Sequence, residues 1–233
     1  MYKRQVGISA SGANSTVNMT GGNIHMNGDG AIGVMALDGA SVNLSGTAMP
    51  VFAVDATGQI LFRLSGAGSS INTRLPVGTV FDASAKNSTL YRLDDGASLS
   101  GRIQIAVSGE NARGVYASGV GTTVTVASGS QFDLSGTGAQ GLYVAGGAQA
   151  TVANGAVMNQ TNAGATAGLV DGNYYALDGT TLLASNTGSM LTNGAALTSN
   201  QAGAVGFISQ NQGILVNLSL IHISEPTRLR RIS

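Results

Sequence analysis

Three stretches of this chain read almost alike and stand at fixed intervals. Gly109–Tyr116 is Gly-Glu-Asn-Ala-Arg-Gly-Val-Tyr, and Gly136–Tyr143, one period later, is Gly-Thr-Gly-Ala-Gln-Gly-Leu-Tyr. Gly28–Met35, Gly-Asp-Gly-Ala-Ile-Gly-Val-Met, lies three steps of the same size before the first. Gly168-Leu169 falls one further step along after a one-residue slip, and a looser copy, Gln201–Ile208, is out of phase. A period of about 27 residues marks a repeat architecture, in which each unit buries its apolar face only against its neighbours.

The content of one period says what the unit is. Val17-Asn-Met19, Ile24-His-Met26, Val42-Asn-Leu44, Val124-Thr-Val126 and Phe132-Asp-Leu134 alternate apolar and polar residues, the pattern of strands with one buried face. From Tyr174-Tyr-Ala-Leu177 to Ile214-Leu-Val216 strands are expected to continue, with more variable turns. Between such runs stand Asp38-Gly39-Ala40, Asp95-Gly96-Ala97, Gly146-Gly147-Ala148, Asn154-Gly155-Ala156, Asp178-Gly179-Thr180 and Asn193-Gly194-Ala195. These pairs supply positive φ at low cost and let the chain turn sharply. Such a pair usually joins an antiparallel hairpin. Three strands of four or five residues with three turns nevertheless consume about 27 residues and return the chain one strand spacing, ~4.8 Å, above its start. The expected fold is therefore all-β, a parallel β-helix (solenoid) of about 27 residues per coil. Gly114 should lie over Gly141, Val115 over Leu142 and Tyr116 over Tyr143. Eight such coils would make a rod on the order of 35–40 Å long.

Composition agrees. The chain has 35 Gly and only three Pro in 233 residues, 43% hydrophobic residues and 9% charged ones. That is enough apolar material for a core, and too few prolines to interrupt long hydrogen-bond ladders. The formal charge of zero hides an asymmetry. Five of the eleven basic residues (Lys3, Arg4, Arg228, Arg230 and Arg231) lie at the ends, leaving six basic against ten acidic residues in 6–217. A mildly acidic body gives no electrostatic footprint for nucleic acid, so no nucleic-acid partner is expected. Residues 1–5 and 218–233 break the Gly/Asn/Ser/Thr style of the rest and resemble translated sequencing-adapter read-through. They are expected to be non-native ends, with 6–217 a β-helix fragment of a protein that extends in both directions. Both ends should make few core contacts, and the C-terminal end of the rod should be uncapped. No run of ~20 apolar residues is present, so no membrane insertion by this fragment is expected. The absence of cysteine excludes a disulfide scaffold and a thiolate metal site.

Residues 50–96 break the register of the repeat. The window holds Arg63, Arg74, Lys86 and Arg92 with Asp55, Asp82, Asp94 and Asp95, and its linking loops read as longer, notably Ser65 to Pro76. It is either a protruding partner surface or a few coils of irregular length with solvated turns, and the second is the simpler reading.

Ser41-Val-Asn-Leu-Ser-Gly46, Gly109–Tyr116, Gly136–Tyr143, and Tyr174-Tyr-Ala-Leu-Asp-Gly179 with Leu182-Leu183 carry a family resemblance. In repeat style, most of 6–217 resembles the passenger domain of Gram-negative autotransporters of the pertactin-like kind. The resemblance implies a right-handed β-helix displayed outside the outer membrane or secreted, acting in adhesion, aggregation or virulence. It also implies a parent protein with a C-terminal outer-membrane barrel. The expected partners are a host or neighbouring-cell surface protein or glycan, and other copies of the chain. No Arg-Gly-Asp tripeptide occurs, so that family-associated cell-binding motif is not carried over.

Catalytic chemistry finds little support. His25, the one histidine outside the suspect tail, lies between Ile24 and Met26 and should face solvent from a strand. Paired carboxylates can hydrolyse a glycoside when they flank the bond, but Asp94-Asp95 are neighbours expected to point to opposite faces. Gly28-Asp-Gly30 lacks the tandem copies of a calcium-binding β-roll. Gly28-x-Gly30-x-x-Gly33 matches the dinucleotide spacing without a following helix. We therefore expect no catalytic, cofactor-binding or metal residues, no cofactor and no enzyme. The alternative is a β-helical carbohydrate-active enzyme, pectinase-like or tailspike-like, which should gather charged residues and aromatics on one face.

Overall fold

The computed structural model describes residues 5–45, 51–74, 78–176, 180–219 and 221–223. Among them there is no helix, and the strands wind as a parallel β-solenoid with three faces. The first face stacks Val6–Ser11, Ile32–Leu37, Ile60–Ser65, Thr89–Asp94, Arg113–Ser118, Gln140–Ala145, Thr166–Asp171 and Val205–Gln210. The second stacks Thr16–Met19, Ser41–Ser45, Ser70–Arg74, Ser98–Gly101, Thr123–Val126, Gln149–Val152, Met190–Asn193 and Ile214–Asn217. The third runs from Phe81–Asp82 through Gln104–Val107, Gln131–Leu134, Val157–Gln160 and Ala196–Ser199 to Ile221–Ile223. The parallel pair Asn23–Met26 and Val51–Val54 holds the same place in the two N-terminal coils.

The alternation read from the sequence sets which side chains enter the core. In Thr123–Val126 and Gln131–Leu134, Val124, Val126, Phe132 and Leu134 are buried while Thr123, Thr125 and Gln131 are exposed. First-face strands are longer, and their third and fifth residues point inward. Phe62, Tyr91, Val115 and Leu142 form one such buried column, with Phe62 and Tyr91 stacked at 5.2 Å.

Successive first-face pairings step from Ile8 to Val34, Phe62, Tyr91, Val115, Leu142, Gly168 and Phe207, so the coils differ in length. The register places Gly114 over Gly141, Val115 over Leu142 and Tyr116 over Tyr143, as expected. A Cβ on Gly114 would stand 2.8 Å from the carbonyl oxygen of Gly141, which is why this copy of the motif keeps glycine there. The three-period spacing back to Gly33 survives because the coils between compensate. Val34 to Phe62 and Phe62 to Tyr91 exceed the period, and Tyr91 to Val115 falls short of it by as much. Gly168 stands over Leu142, so Ala167 follows Gly141 in the column. The copy at Gln201–Ile208 is in register after all: Phe207 stands over Gly168 and Ile208 over Leu169. An excursion within this last, longest coil shifts it out of phase in the sequence.

Two expectations need correction. Ser65 to Pro76 is not one long loop, because Ser70–Arg74 is a second-face strand paired with Ser41–Ser45 and Ser98–Gly101. The true excursion lies after Asp171. Tyr174–Tyr175, expected as an in-line strand, pairs antiparallel with Leu182–Ala184 outside the coil. The first residues of the suspected foreign tail continue the ladders of the coil before it. Leu218 N–H donates to Asn193 O, and Ile221–Ile223 pair in parallel with Ala196–Ser199. Residues 1–4 and 224–233 lie outside the described residues, as do Asp178 and Gly179 of the expected turn element.

The turns from the first face to the second alternate in length. Asp38-Gly39, Asp95-Gly96 and Gly146-Gly147 are short turns with φ of 53° and 91°, 54° and 91°, and 59° and 90°. Each ends in a fully buried alanine, Ala40, Ala97 or Ala148. The intervening turns, Gly12–Asn14, Gly66–Gly68 and Gly119–Gly121, are one residue longer and end in a hydroxyl, at Ser15, Ser69 or Thr122. Each of these hydroxyls donates to the carbonyl four residues back, at 2.7–2.8 Å. The Ser69 and Thr122 hydroxyls also accept the glycine N–H of the preceding short turn, Gly39 or Gly96. A part-buried donor is thus satisfied by the neighbouring coil. The seventh turn keeps this frame, since Ser189 accepts Gly147 N–H at 2.9 Å. There, however, residues 173–187 stand between Gly172 and Gly188 where Val120 alone stands between Gly119 and Gly121.

Candidate functional site

Two surfaces stand out once the coils are stacked. The first is the outside of the second face. Its two outward columns run Thr16, Ser41, Ser70, Ser98, Thr123, Gln149, Met190, Ile214 and Asn18, Asn43, Asn72, Ser100, Thr125, Thr151, Thr192, Val216. Neither contains a charge. At one end the amides form a ladder: Asn43 Nδ2 donates to Asn18 Oδ1 at 2.9 Å, and Asn72 Nδ2 to Asn43 Oδ1 at 3.3 Å. Ser100 Oγ donates to Asn72 Oδ1 at 3.4 Å. Identical rows stack because the parallel register brings each residue over its counterpart, one strand spacing away.

The second surface is a cleft on the first face. Met35, Arg63, Arg92, Tyr116, Tyr143 and Leu169 form the outward column there. Tyr116 and Tyr143 stack with centroids 5.2 Å apart and planes 10° apart. The Arg92 guanidinium lies 4.8 Å from the Tyr116 centroid, and Arg113 approaches both rings. Asp94, almost fully buried, gathers the charges beside this stack. It accepts from Arg92 Nε at 3.0 Å and from Ser118 Oγ at 2.8 Å, with Arg63 Nε at 3.9 Å. Burial of a carboxylate is tolerated because it is paired and hydrogen-bonded. Arg92 is itself only 17% exposed along its side chain, and among the described residues no group accepts from its two terminal nitrogens.

The described parts of 173–187 arch back over this column. Thr187 closes the neck, donating both its N–H and its Oγ1 to Gly172 O. Tyr174 lies on Gly146, where a Cβ would stand 2.6 Å from the ring, and reaches across the coils to donate its hydroxyl to Asp95 Oδ1 at 2.7 Å. Asn173 Nδ2 donates to Tyr175 Oη at 3.0 Å. Arg63, Arg92, Asp94, Asp95, Tyr174 and Tyr175 line the resulting cleft of about 460 Å³, with the exposed Leu183 at its rim.

Titration follows this packing. Burial pushes the Tyr174 phenol well up, and the hydrogen bond to Asp95 adds to it. Burial raises Tyr143, reinforced by the Asp171 charge, and raises Tyr116 against the opposing charge of Arg92. Asp171 roots the excursion. Burial works to raise its carboxyl, but hydrogen bonds from Asn211, the Asn173 amide, Gln210 and Tyr143 outweigh that and hold it below the ordinary carboxylate range.

His25 is exposed on its strand, as expected, with Ala53 beside it in the next coil. Asp94 and Asp95 do not point apart: both line the cleft, because Asp95 is the positive-φ residue of the turn and not a strand residue. The alternation rule therefore does not reach it. Among the described residues no three His, Asp or Glu side chains come together as a metal site would require. Sequence reasoning missed Tyr174, Tyr175 and the Arg63–Arg92 pair as parts of one site. The available signal was the loss of phase at Gln201–Ile208, which measures the excursion. Compared with protein families, with characterised proteins and with solved structures, the chain matches none.

Proposed function

We propose that this chain is a structural and adhesive module, a rigid β-solenoid displayed at a cell surface or secreted, in the manner of an autotransporter passenger domain. The observation that carries the proposal is the pair of charge-free outward columns on the second face. Columns without charge lack the repulsion that keeps chains apart. Their amides and hydroxyls repeat at one strand spacing, so a partner surface of the same kind can engage many weak contacts at once, and many displayed copies multiply them. The partners are neighbouring copies of the chain or a glycan or protein on a facing cell. The carbohydrate-active enzyme reading gains a cleft holding two carboxylates. Against it, Asp94 is engaged by two arginines and Ser118, and Asp95 by Tyr174.

The test is cell settling with the chain displayed on a non-aggregating host. Asn43→Asp, Thr125→Asp and Thr151→Asp together place a row of negative charge on the second face without touching the core. Clumping that disappears in the triple variant and returns at high salt supports the proposal. Clumping equal to that of the unaltered chain overturns it.

A further inference from the structure

We propose that the cleft under residues 173–176 and 180–187 is a binding site for a neutral saccharide, shaped to take the vicinal hydroxyls and one apolar face of a pyranose ring. The site is separate from the charge-free columns of the second face, so either reading can fail alone.

Charge selects the ligand class. Among the described residues lining the cleft, Arg63 and Arg92 face Asp94 and Asp95, two positive groups against two negative. Such a balance of formal charge favours neither a bare anion nor a bare cation. It does set donors and acceptors side by side. A guanidinium only donates and a carboxylate only accepts, whereas a sugar hydroxyl does both and can bridge them. Arg92 is the donor best placed for this. Asp94 holds its Nε and the Tyr116 ring carries its face, so its orientation is fixed, yet its terminal nitrogens find no acceptor among the described residues. Asp95 is exposed on its turn and supplies carboxylate acceptor capacity beyond the single bond from Tyr174.

Shape and rigidity point the same way. The volume of about 460 Å³ falls within the ~300–1,000 Å³ of small-molecule sites. Half-buried Tyr174 and Tyr175 bring aromatic surface, and Leu183 an apolar rim, against which the C–H face of a ring can lie. The arch is held in advance by Thr187 on Gly172, by Tyr174 on Asp95 and by Asn173 on Tyr175. These bonds reduce the ordering the arch must undergo when a ligand binds. No step of bond cleavage is part of the proposal.

Saturation-transfer NMR on the full chain tests it, with methyl β-D-glucopyranoside, methyl β-D-galactopyranoside and methyl α-D-mannopyranoside as probes and D-glucuronate as the charged comparator. At least one neutral glycoside should receive saturation, with a Kd on the order of 1 mM. Arg92→Lys and Tyr175→Ala should each weaken it about tenfold or more. Leu183→Asp, at an exposed position where folding is not at stake, should weaken it as well. Thr125→Ala, on the other face, should leave it unchanged. The proposal is overturned if no neutral glycoside receives saturation at about 10 mM, well above that Kd. Preferential binding of glucuronate, or wild-type binding by Leu183→Asp together with Arg92→Lys, would overturn it equally.

Discussion

Tyr91→Phe should stabilise the solenoid. Tyr91 is fully buried, and its hydroxyl has no hydrogen-bond partner among the described residues. Its ring stacks on Phe62 at 5.2 Å, and Phe62 in turn packs at 5.7 Å against Phe81. Phe62 occupies the same inward column one coil earlier, so this core already accommodates an unsubstituted benzyl ring. Removing the hydroxyl keeps those ring contacts and lifts the cost of an unpaired buried polar group, ~1–3 kcal/mol. For a chain of this size each kcal/mol moves the thermal midpoint by about 2–4 °C. A gain of ~1–2 kcal/mol therefore raises it by roughly 2–8 °C, read by far-UV circular dichroism. A second readout comes from alkali. Burial pushes the Tyr91 phenol up, so its contribution to stability is complete below the ordinary phenol value of ~10 and is lost as pH rises beyond it. The phenylalanine variant should lose part of that alkaline sensitivity. A midpoint that falls, with alkaline sensitivity intact, would show that the hydroxyl is paired after all and that the accounting is wrong.

Two further outcomes are expected. Because the Asp171 carboxyl is held low by its hydrogen bonds, its support of the arch is complete above the ordinary value of 3.8 and is lost as pH falls through the lower folded value. Protection of the Asn173 and Tyr174 amides from hydrogen exchange, taken relative to the intrinsic rate at each pH, should fall at acid pH in the wild type and should already be low at neutral pH in Asp171→Asn. Replacing residues 172–188 by Gly-Val-Gly, the sequence of 119–121, should restore an ordinary long turn. The circular dichroism of the solenoid should be retained while the cleft is lost, and a collapse of the far-UV signal would refute the shared turn frame.

The sequence carried the coil because parallel stacking converts equal spacing into contact. Gly114, Val115 and Tyr116 repeat at Gly141, Leu142 and Tyr143, and the register follows directly. The short turns were equally legible, since Asp38-Gly39, Asp95-Gly96 and Gly146-Gly147 need positive φ at both residues and name it in their composition. The alternation with longer turns was not. It shows only when Ser15, Ser69 and Thr122 are set against Ala40, Ala97 and Ala148. That comparison requires the pairing itself, because the step from Phe62 to Tyr91 is longer than the period and the step from Tyr91 to Val115 shorter. Tyr174 and Tyr175 were misplaced for a related reason: an apolar pair reads the same in a coil strand and in a hairpin arched outside it. The cleft depends on both facts. Arg63 and Arg92 pair in register only because their coil is longer than the period, and Tyr174 reaches Asp95 beside them only because the excursion folds back toward earlier coils.

The seventh turn shows that one residue of a long turn can be exchanged for the whole of 173–187 while the strands on either side keep their pairing. Val120, at the matching place in the fifth turn, is 77% exposed and packs into no core. Long turns recur at every second coil, along one edge of the rod, about 10 Å apart. That edge is a row of equivalent sockets. Foreign loops inserted at Ala13, Ala67 and Val120 would be presented at a set spacing and on one side, with the distance between them adjustable only in whole pairs of coils.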